Sequence, residues 1–174
     1  MPIAEPDTDP GRTPLAVGRR FYQVAVARLA EVQEPLGLRP LEFGVILRLQ
    51  ATPGLDQVTL GEQMVLDRTT IGGLVRHLER LGYVTRAISK NDRRARVLTL
   101  TARGKALHKE HRPHAMTAQE SMLAVLTPAE RTSLIDLMSR VVEANRTYLR
   151  PGAGRRPRLT PQARATRAPN GKGR

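Results

Sequence analysis

The stretch from Asp67 to Thr101, DRTTIGGLVRHLERLGYVTRAISKNDRRARVLTLT, decides how the rest of the chain is read. In its first half Ile71, Leu74, Val75, Leu78 and Leu81 recur at steps of three and four, which sets them on one stripe of an amphipathic helix. Asp67 stands where a cap would start that helix and Gly82 where one would end it. At about 100° per residue, Thr69, Gly73, Arg76 and Arg80 point away from the stripe, flanked by Gly72 and His77. The outward face is therefore small or cationic. After Gly82 the period becomes that of strands: Tyr83 to Ile88 and Arg96 to Leu100 are β-rich and are joined by a turn that carries Lys90, Asp92, Arg93 and Arg94. Such a helix beside a basic hairpin suits a major groove and a neighbouring minor groove or phosphate ridge. The plainer reading is a solvated surface helix and turn.

Working outward, composition narrows the partner. A formal charge of +13 on 174 residues favours a polyanion, because nucleic acid releases counterions to clustered Lys and Arg. Charge alone does not choose DNA over RNA or acidic lipid, but with no Trp, two Phe and three Tyr the chain lacks the aromatic platforms on which single strands stack, so duplex binding is the better fit. The absence of Cys removes disulfides, thiolate metal sites and thiol redox sensing. The proline-rich, acidic start MPIAEPDTDPGRTP is not a signal peptide, and no apolar run nears the ~20 residues of a membrane span, so a cytoplasmic protein without membrane contact is expected.

Upstream, 1–11 reads as a flexible arm. A helix from Thr13 to about Glu34 sets Val17, Phe21, Val24, Ala25 and Val32 on one face, with Arg28 near its middle. That cation either snorkels or pairs with a carboxylate, or else clamps a small anion. Pro40 opens a second helix whose Leu41, Phe43, Val45, Ile46, Leu47 and Leu49 predict burial on most sides. Thr59-Leu60-Gly61-Glu62 has the pattern of a capping box and predicts a short helix through Leu66. A short helix, a tight turn and the helix after Asp67 make a helix-turn-helix, which the hairpin makes winged.

Downstream, Thr101 caps a helix that Pro113 should kink, and Thr127-Pro128-Ala129-Glu130 caps another with Leu134, Leu137, Met138, Val141 and Val142 at helical spacing. The end helices have too little domain to cover their apolar faces, which predicts that they pack against a second copy. The chain thus divides into the arm, a dimerisation helix at 12–38, a winged helix-turn-helix at 39–102, dimerisation helices at 103–149 and a basic tail at 150–174. The expected class is mainly α with a small β wing. From Arg150 the tail holds Arg155, Arg156, Arg158, Arg164, Arg167, Lys172 and Arg174 and no acid; it reads as disordered, serving either phosphate contact or solubility.

LDRTTIGGLVRHLERLGYV together with the wing NDRRARVLTLTARGKAL resembles the MarR family of winged-helix transcription regulators, and the similarity runs from about Thr13 to Tyr148. PGLDQVTLGEQMVLDRTTIGG resembles a branch linked to breakdown of aromatic acids. The resemblance implies an obligate dimer whose two winged domains reach successive major grooves, probing a pseudo-palindromic operator. By the family's Asp-x-Arg wing pattern, Arg94 enters the minor groove while Asp92 holds a neighbouring arginine. In the reading helix Arg68, Thr69, Thr70 and Arg76 become candidate contacts, and Gly72 and Gly73 replace side chains that many relatives carry.

The resemblance also implies a small phenolic or carboxylate effector that releases DNA, bound between the dimer region and the winged domain. A hydroxybenzoate, a nicotinate-like acid or an aromatic acyl thioester fits, with Arg28 as the carboxylate partner and Arg19, Tyr22, Leu41, Phe43 and Arg48 as walls. No other cofactor is expected. His108, His111 and His114 lie three apart, but Pro113 interrupts them, so solvated or pocket-lining histidines are expected rather than a metal site. No phosphate loop or nucleophile motif suggests an enzyme. The competing class is an architectural DNA-binding protein without an effector.

Overall fold

The computed structural model describes residues 9–88 and 96–151. Eight elements follow in order: α1 (Pro14–Gln33), α2 (Pro40–Ala51), α3 (Gln57–Gln63), α4 (Arg68–Arg80), β1 (Val84–Ile88), β2 (Arg96–Leu100), α5 (Ala102–Met122) and α6 (Pro128–Ala144). Short 3-10 turns at Pro10–Arg12, Glu34–Leu36 and Arg146–Tyr148 punctuate them. The chain is mostly helical with one small antiparallel sheet, as its periodicities predict.

Local capping explains most boundaries. Thr13, Asp67, Thr101 and Thr127 each accept a backbone N–H from the first turn of their helix, satisfying donors that have no partner inside it. Thr127 and Glu130 complete a reciprocal box. α3 differs from expectation: it starts at Gln57, two residues before Thr59, because Asp56 Oδ1 accepts the N–H groups of Val58 (2.8 Å) and Thr59 (3.0 Å). The Thr59 hydroxyl donates to Asp56 Oδ2 at 2.6 Å, so Asp56 is the cap and Thr59 one of its partners. Pro113 stays inside α5 without ending it.

Most of the core lies within the winged unit, joined by Leu107 and Ala115 of α5. Phe43, Val45, Ile46 and Leu49 of α2 meet Leu60 of α3 and Ile71, Leu74, Val75 and Leu78 of α4, and Val84, Leu98 and Leu100 of the hairpin close the far side. α3 and α4 approach so closely that a methyl on Gly61 would lie 3.2 Å from the Leu66 carbonyl oxygen and 3.3 Å from Ile71 Cγ2. The turn between them places Val65 at φ 54°, a left-handed conformation that a β-branched residue adopts only under tertiary constraint. In the hairpin Val84 pairs with Leu100 and Ile88 with Arg96 in an antiparallel register, and Leu55 adds a single bridge to Leu98.

The wing is locked to the base of α5. Thr101 donates its hydroxyl to the Gly82 carbonyl at 2.6 Å and its N–H to the Tyr83 carbonyl at 3.0 Å, and its hydroxyl oxygen accepts from Gly104 at 3.1 Å. Arg103 lies over the Tyr83 ring at 4.8 Å, adding a cation–π contact to the same junction.

α1 and α6 contrast with this core. α6 has no buried residue, and Leu137, Val141 and Val142 are 55%, 64% and 50% exposed. On α1 only Gln33 is buried; Val17 and Val24 remain about half exposed. Among the described residues no helix is long and apolar enough to cross a membrane.

Candidate nucleic-acid interface

α4 presents Arg68, Thr69, Arg76 and Arg80 as an exposed row, with Gly73 between them. The row exists because the opposite stripe is spent on the core. Thr70 is half-buried, with its N–H on Asp67 Oδ1 (2.9 Å) and its hydroxyl on Asp67 Oδ2 (3.0 Å), so it serves the cap rather than the open row. The two glycines differ. A methyl on Gly72 would lie 3.3 Å from both Arg76 Nη1 and Gln57 Nε2, so this residue is buried between helices, whereas Gly73 has nothing within 4 Å. His77 does not join the row. Its Nδ1 lies 2.7 Å from Glu42 Oε1, turned inward toward α2.

Arg86, unremarked in the sequence, ties the wing to the helix-turn-helix. It donates to Glu79 of α4 at 2.9 Å and to Gln57 of α3 at 3.1 Å. Its pairing joins three elements distant in the chain, which no local pattern announces. The wing tip residues Lys90, Asp92, Arg93 and Arg94 lie outside the described residues. So does the tail beyond Pro151, which itself lines a shallow groove with Asp67 and Arg68 at the start of α4.

Between α1 and α4 lies an apolar cavity of about 420 Å3, walled by Tyr22, Leu29, Leu41 and Leu74 and bordered by Arg39 and Thr70. Two of the expected wall residues, Tyr22 and Leu41, are here. The others are elsewhere. Phe43 is 1% exposed in the core, edge-on to His111 at 5.1 Å, because its position on α2 faces inward. Arg28 pairs with Glu31 at 3.3 Å and borders a different depression beside His114, so the carboxylate-pairing reading of this cation holds and it does not reach the apolar cavity. Arg19 and Arg48 are exposed and line neither space.

The cation that the cavity does hold is Arg39. Its Nη2 and Nε donate to Glu42 Oε1 at 2.6 and 3.1 Å, and its backbone N–H donates to Oε2 at 2.8 Å. Burial pushes the Glu42 carboxyl up, but the bonds from Arg39 and His77 outweigh it and hold the group below the usual carboxylate range. Glu42 is therefore an ionised carboxylate with a fully buried side chain.

The three histidines of α5 do not form one site, although the rings of His111 and His114 lie 5.8 Å apart. His108 borders a cationic depression with Lys105, Lys109 and Arg112, while His114 lies beside Arg28. His111 is buried with Nε2 unpartnered, and burial first, then the neighbouring His114 charge, lowers its pKa. Among the described residues no set of three metal-ligating side chains converges.

A sequence profile of the MarR family matches residues 36–95, the span of α2, α3, α4 and the start of the wing. Over 118 residues the chain is 32% identical to the HTH-type transcriptional repressor Rv2887 of Mycobacterium tuberculosis, covering 66% of this chain and 85% of that repressor. It belongs to the MarR family. Among solved structures, the fold matches the PcaV transcriptional regulator of Streptomyces coelicolor in complex with its natural ligand, at a TM-score of 0.67 and 29% identity over 80% of this chain and 98% of that one. It also matches BpsR of Bordetella bronchiseptica, a protein whose DNA binding is regulated by 6-hydroxynicotinic acid, at a TM-score of 0.70 and 26% identity over 75% of this chain and 94% of that one.

The MarR-family assignment makes the chain a transcription regulator and not an enzyme. For a MarR-family reading helix the open space over Gly73 is informative. Gly73→Ala is expected to raise stability by about 1 kcal/mol, since alanine loses less backbone freedom in a helix interior. If α4 backbone lies close to DNA at this point, the same methyl weakens operator binding severalfold. Thermal unfolding and fluorescence anisotropy on one preparation read both; unchanged affinity would show that the glycine is not a site of close approach.

Proposed function

We propose that this MarR-family regulator is a homodimeric, cytoplasmic repressor that binds a pseudo-palindromic operator and is released by a small aromatic or heteroaromatic carboxylate or its thioester. The observation that carries this reading is the apolar cavity bordered by Arg39, with dimer-side α1 on one wall and reading helix α4 on another. A ligand seated there touches both the element that sets the spacing between two protomers and the element that enters the groove. It works by binding the DNA-incompetent arrangement more tightly than the competent one. A cavity of about 420 Å3 suits one substituted ring, Tyr22 and the leucines supplying apolar faces and Arg39 a cation for the carboxylate. The repressor relative and the acid-regulated neighbour BpsR support the same reading.

DNA contact is assigned to Arg68, Thr69, Arg76 and Arg80 on the reading helix, with Lys90, Arg93 and Arg94 at the wing. Arginine suits the narrow minor groove because its negative potential is strongest there. Arg94→Ala is expected to weaken operator binding by ~1–3 kcal/mol at fixed salt. An unchanged affinity would remove the wing from the groove.

The deciding experiment selects bound sequences from a random duplex pool, then titrates hydroxybenzoates and hydroxynicotinates into the selected complex. Recovery of a two-fold-symmetric site and its release by one of these acids is expected. The charge of +13 also fits an architectural protein, for which the pool would return no preferred site.

A further inference from the structure

Glu42 is the place where the cavity and the reading helix share one atom. Its side chain is fully buried, and a single oxygen, Oε1, meets Arg39 Nη2 at 2.6 Å, Arg39 Nε at 3.1 Å and His77 Nδ1 at 2.7 Å. Arg39 borders the cavity, with its side chain 69% exposed, whereas His77 belongs to α4 and neighbours Arg76 of the outward row. A carboxylate oxygen offers about two lone-pair directions, so three donors compete for it. Any change in how strongly the guanidinium holds Oε1 alters how strongly His77 is held.

We propose that the Arg39–Glu42–His77 bridge transmits effector occupancy to the reading helix, with Glu42 as the internal carboxylate that a ligand carboxylate displaces from Arg39. The proposal rests on the effector reading given above. A ligand carboxylate matches the guanidinium fork as Glu42 does. When Arg39 turns toward it, the buried Glu42 charge loses its cation and keeps His77 as its remaining side-chain donor, which draws α4 toward the start of α2. The ring supplies affinity, and the negative charge supplies the response. An aromatic carboxylate therefore releases DNA, while the primary amide of the same ring binds the apolar walls without effect.

The bridge is tested first without any ligand. Arg39→Met removes the guanidinium and imitates the occupied state, so operator affinity is expected to fall about tenfold, within the usual range of coupling between sites. In a His77→Leu background the same substitution is expected to change nothing, while in His77→Gln, which keeps an N–H donor, the fall returns. An equal fall in both the parent and the His77→Leu background overturns the bridge. Glu42→Gln, nearly isosteric and uncharged, is the second variant should His77→Leu unfold; it too is expected to make affinity insensitive to Arg39→Met.

The ligand arm uses benzoate and benzamide as probes with the full chain. Calorimetry reads binding and anisotropy reads release. Benzoate is expected to bind both the parent and His77→Leu but to release DNA only from the parent. Release of His77→Leu at the parental concentration overturns the coupling. If neither benzoate nor a hydroxybenzoate binds the parent, the effector reading falls, and the ligand-free comparison still decides the bridge.

Discussion

Val141→Asp is expected to lower operator affinity by about a hundredfold, because two linked reading heads gain ~10²–10⁴ in avidity over one. α6 is a 17-residue helix without a buried residue. Val141 is 64% exposed and lies on a continuous apolar surface with Leu137, Val142 and, across on α1, Val17 and Phe21. A surface of this kind on a monomer would leave a large apolar patch in water, so a second copy is its occupant in the proposed repressor. Placing a carboxylate at its centre costs nothing to a protomer alone, since the site is already solvated, but must be desolvated on pairing. Sedimentation should give a monomer, and its melting temperature should fall by the stability that pairing contributes. A Val141→Asp protein that remains dimeric with parental affinity would move the dimer contact elsewhere.

Gly104→Ala should destabilise the fold by about 3 kcal/mol, the upper part of the range for a methyl forced into a closed space. A Cβ on Gly104 would overlap the Tyr83 carbonyl oxygen and lie 3.0 Å from its carbon. These are backbone atoms, and that carbonyl is held by the N–H of Thr101, which also caps α5. Neither side can yield without unlocking the wing from α5. For a chain of this size the loss corresponds to roughly 6–12 °C in Tm. Gly73→Ala is the internal control, the same change with open space around it and the opposite expected sign. Equal melting temperatures for Gly104→Ala and the parent would mean that the α5–Tyr83 approach is looser than described.

Much of this was legible in the residues. The stripe Ile71, Leu74, Val75, Leu78 is buried, and Asp67 caps α4, because a helix boundary and its apolar period are encoded within a few positions. The hairpin and the uncovered end helices follow for the same reason. What the residues left open is which of several neighbours a side chain takes, and any contact between distant positions. Asp56 rather than Thr59 starts α3, since two acceptors of one carboxylate outcompete a hydroxyl that can itself donate. Of the two readings open for Arg28, pairing with a carboxylate is the one realised, through Glu31 one turn away, and the anion clamp is not. Phe43 is in the core, as the apolar run along α2 predicts, and for that reason does not wall the cavity. Val65 in a left-handed turn has no signature at all, since its residue type opposes its conformation.

The stretch from Asp67 to Thr101 by itself determined the reading helix, its caps, its cationic outward residues and the strands of the wing, because each depends on neighbours three or four positions away or on alternation. Only the tertiary structure decided that His77 turns away from the outward row, that Gly72 is packed while Gly73 is open, and that Arg39 rather than Arg28 borders the cavity. The turn of His77 depends on α2 and α4 meeting at Glu42, where His77 comes from 35 positions along the chain and burial makes every hydrogen bond to the carboxylate compete with the others; Gly72 is packed by Gln57 of α3, and the cavity needs α1, α2 and α4 together.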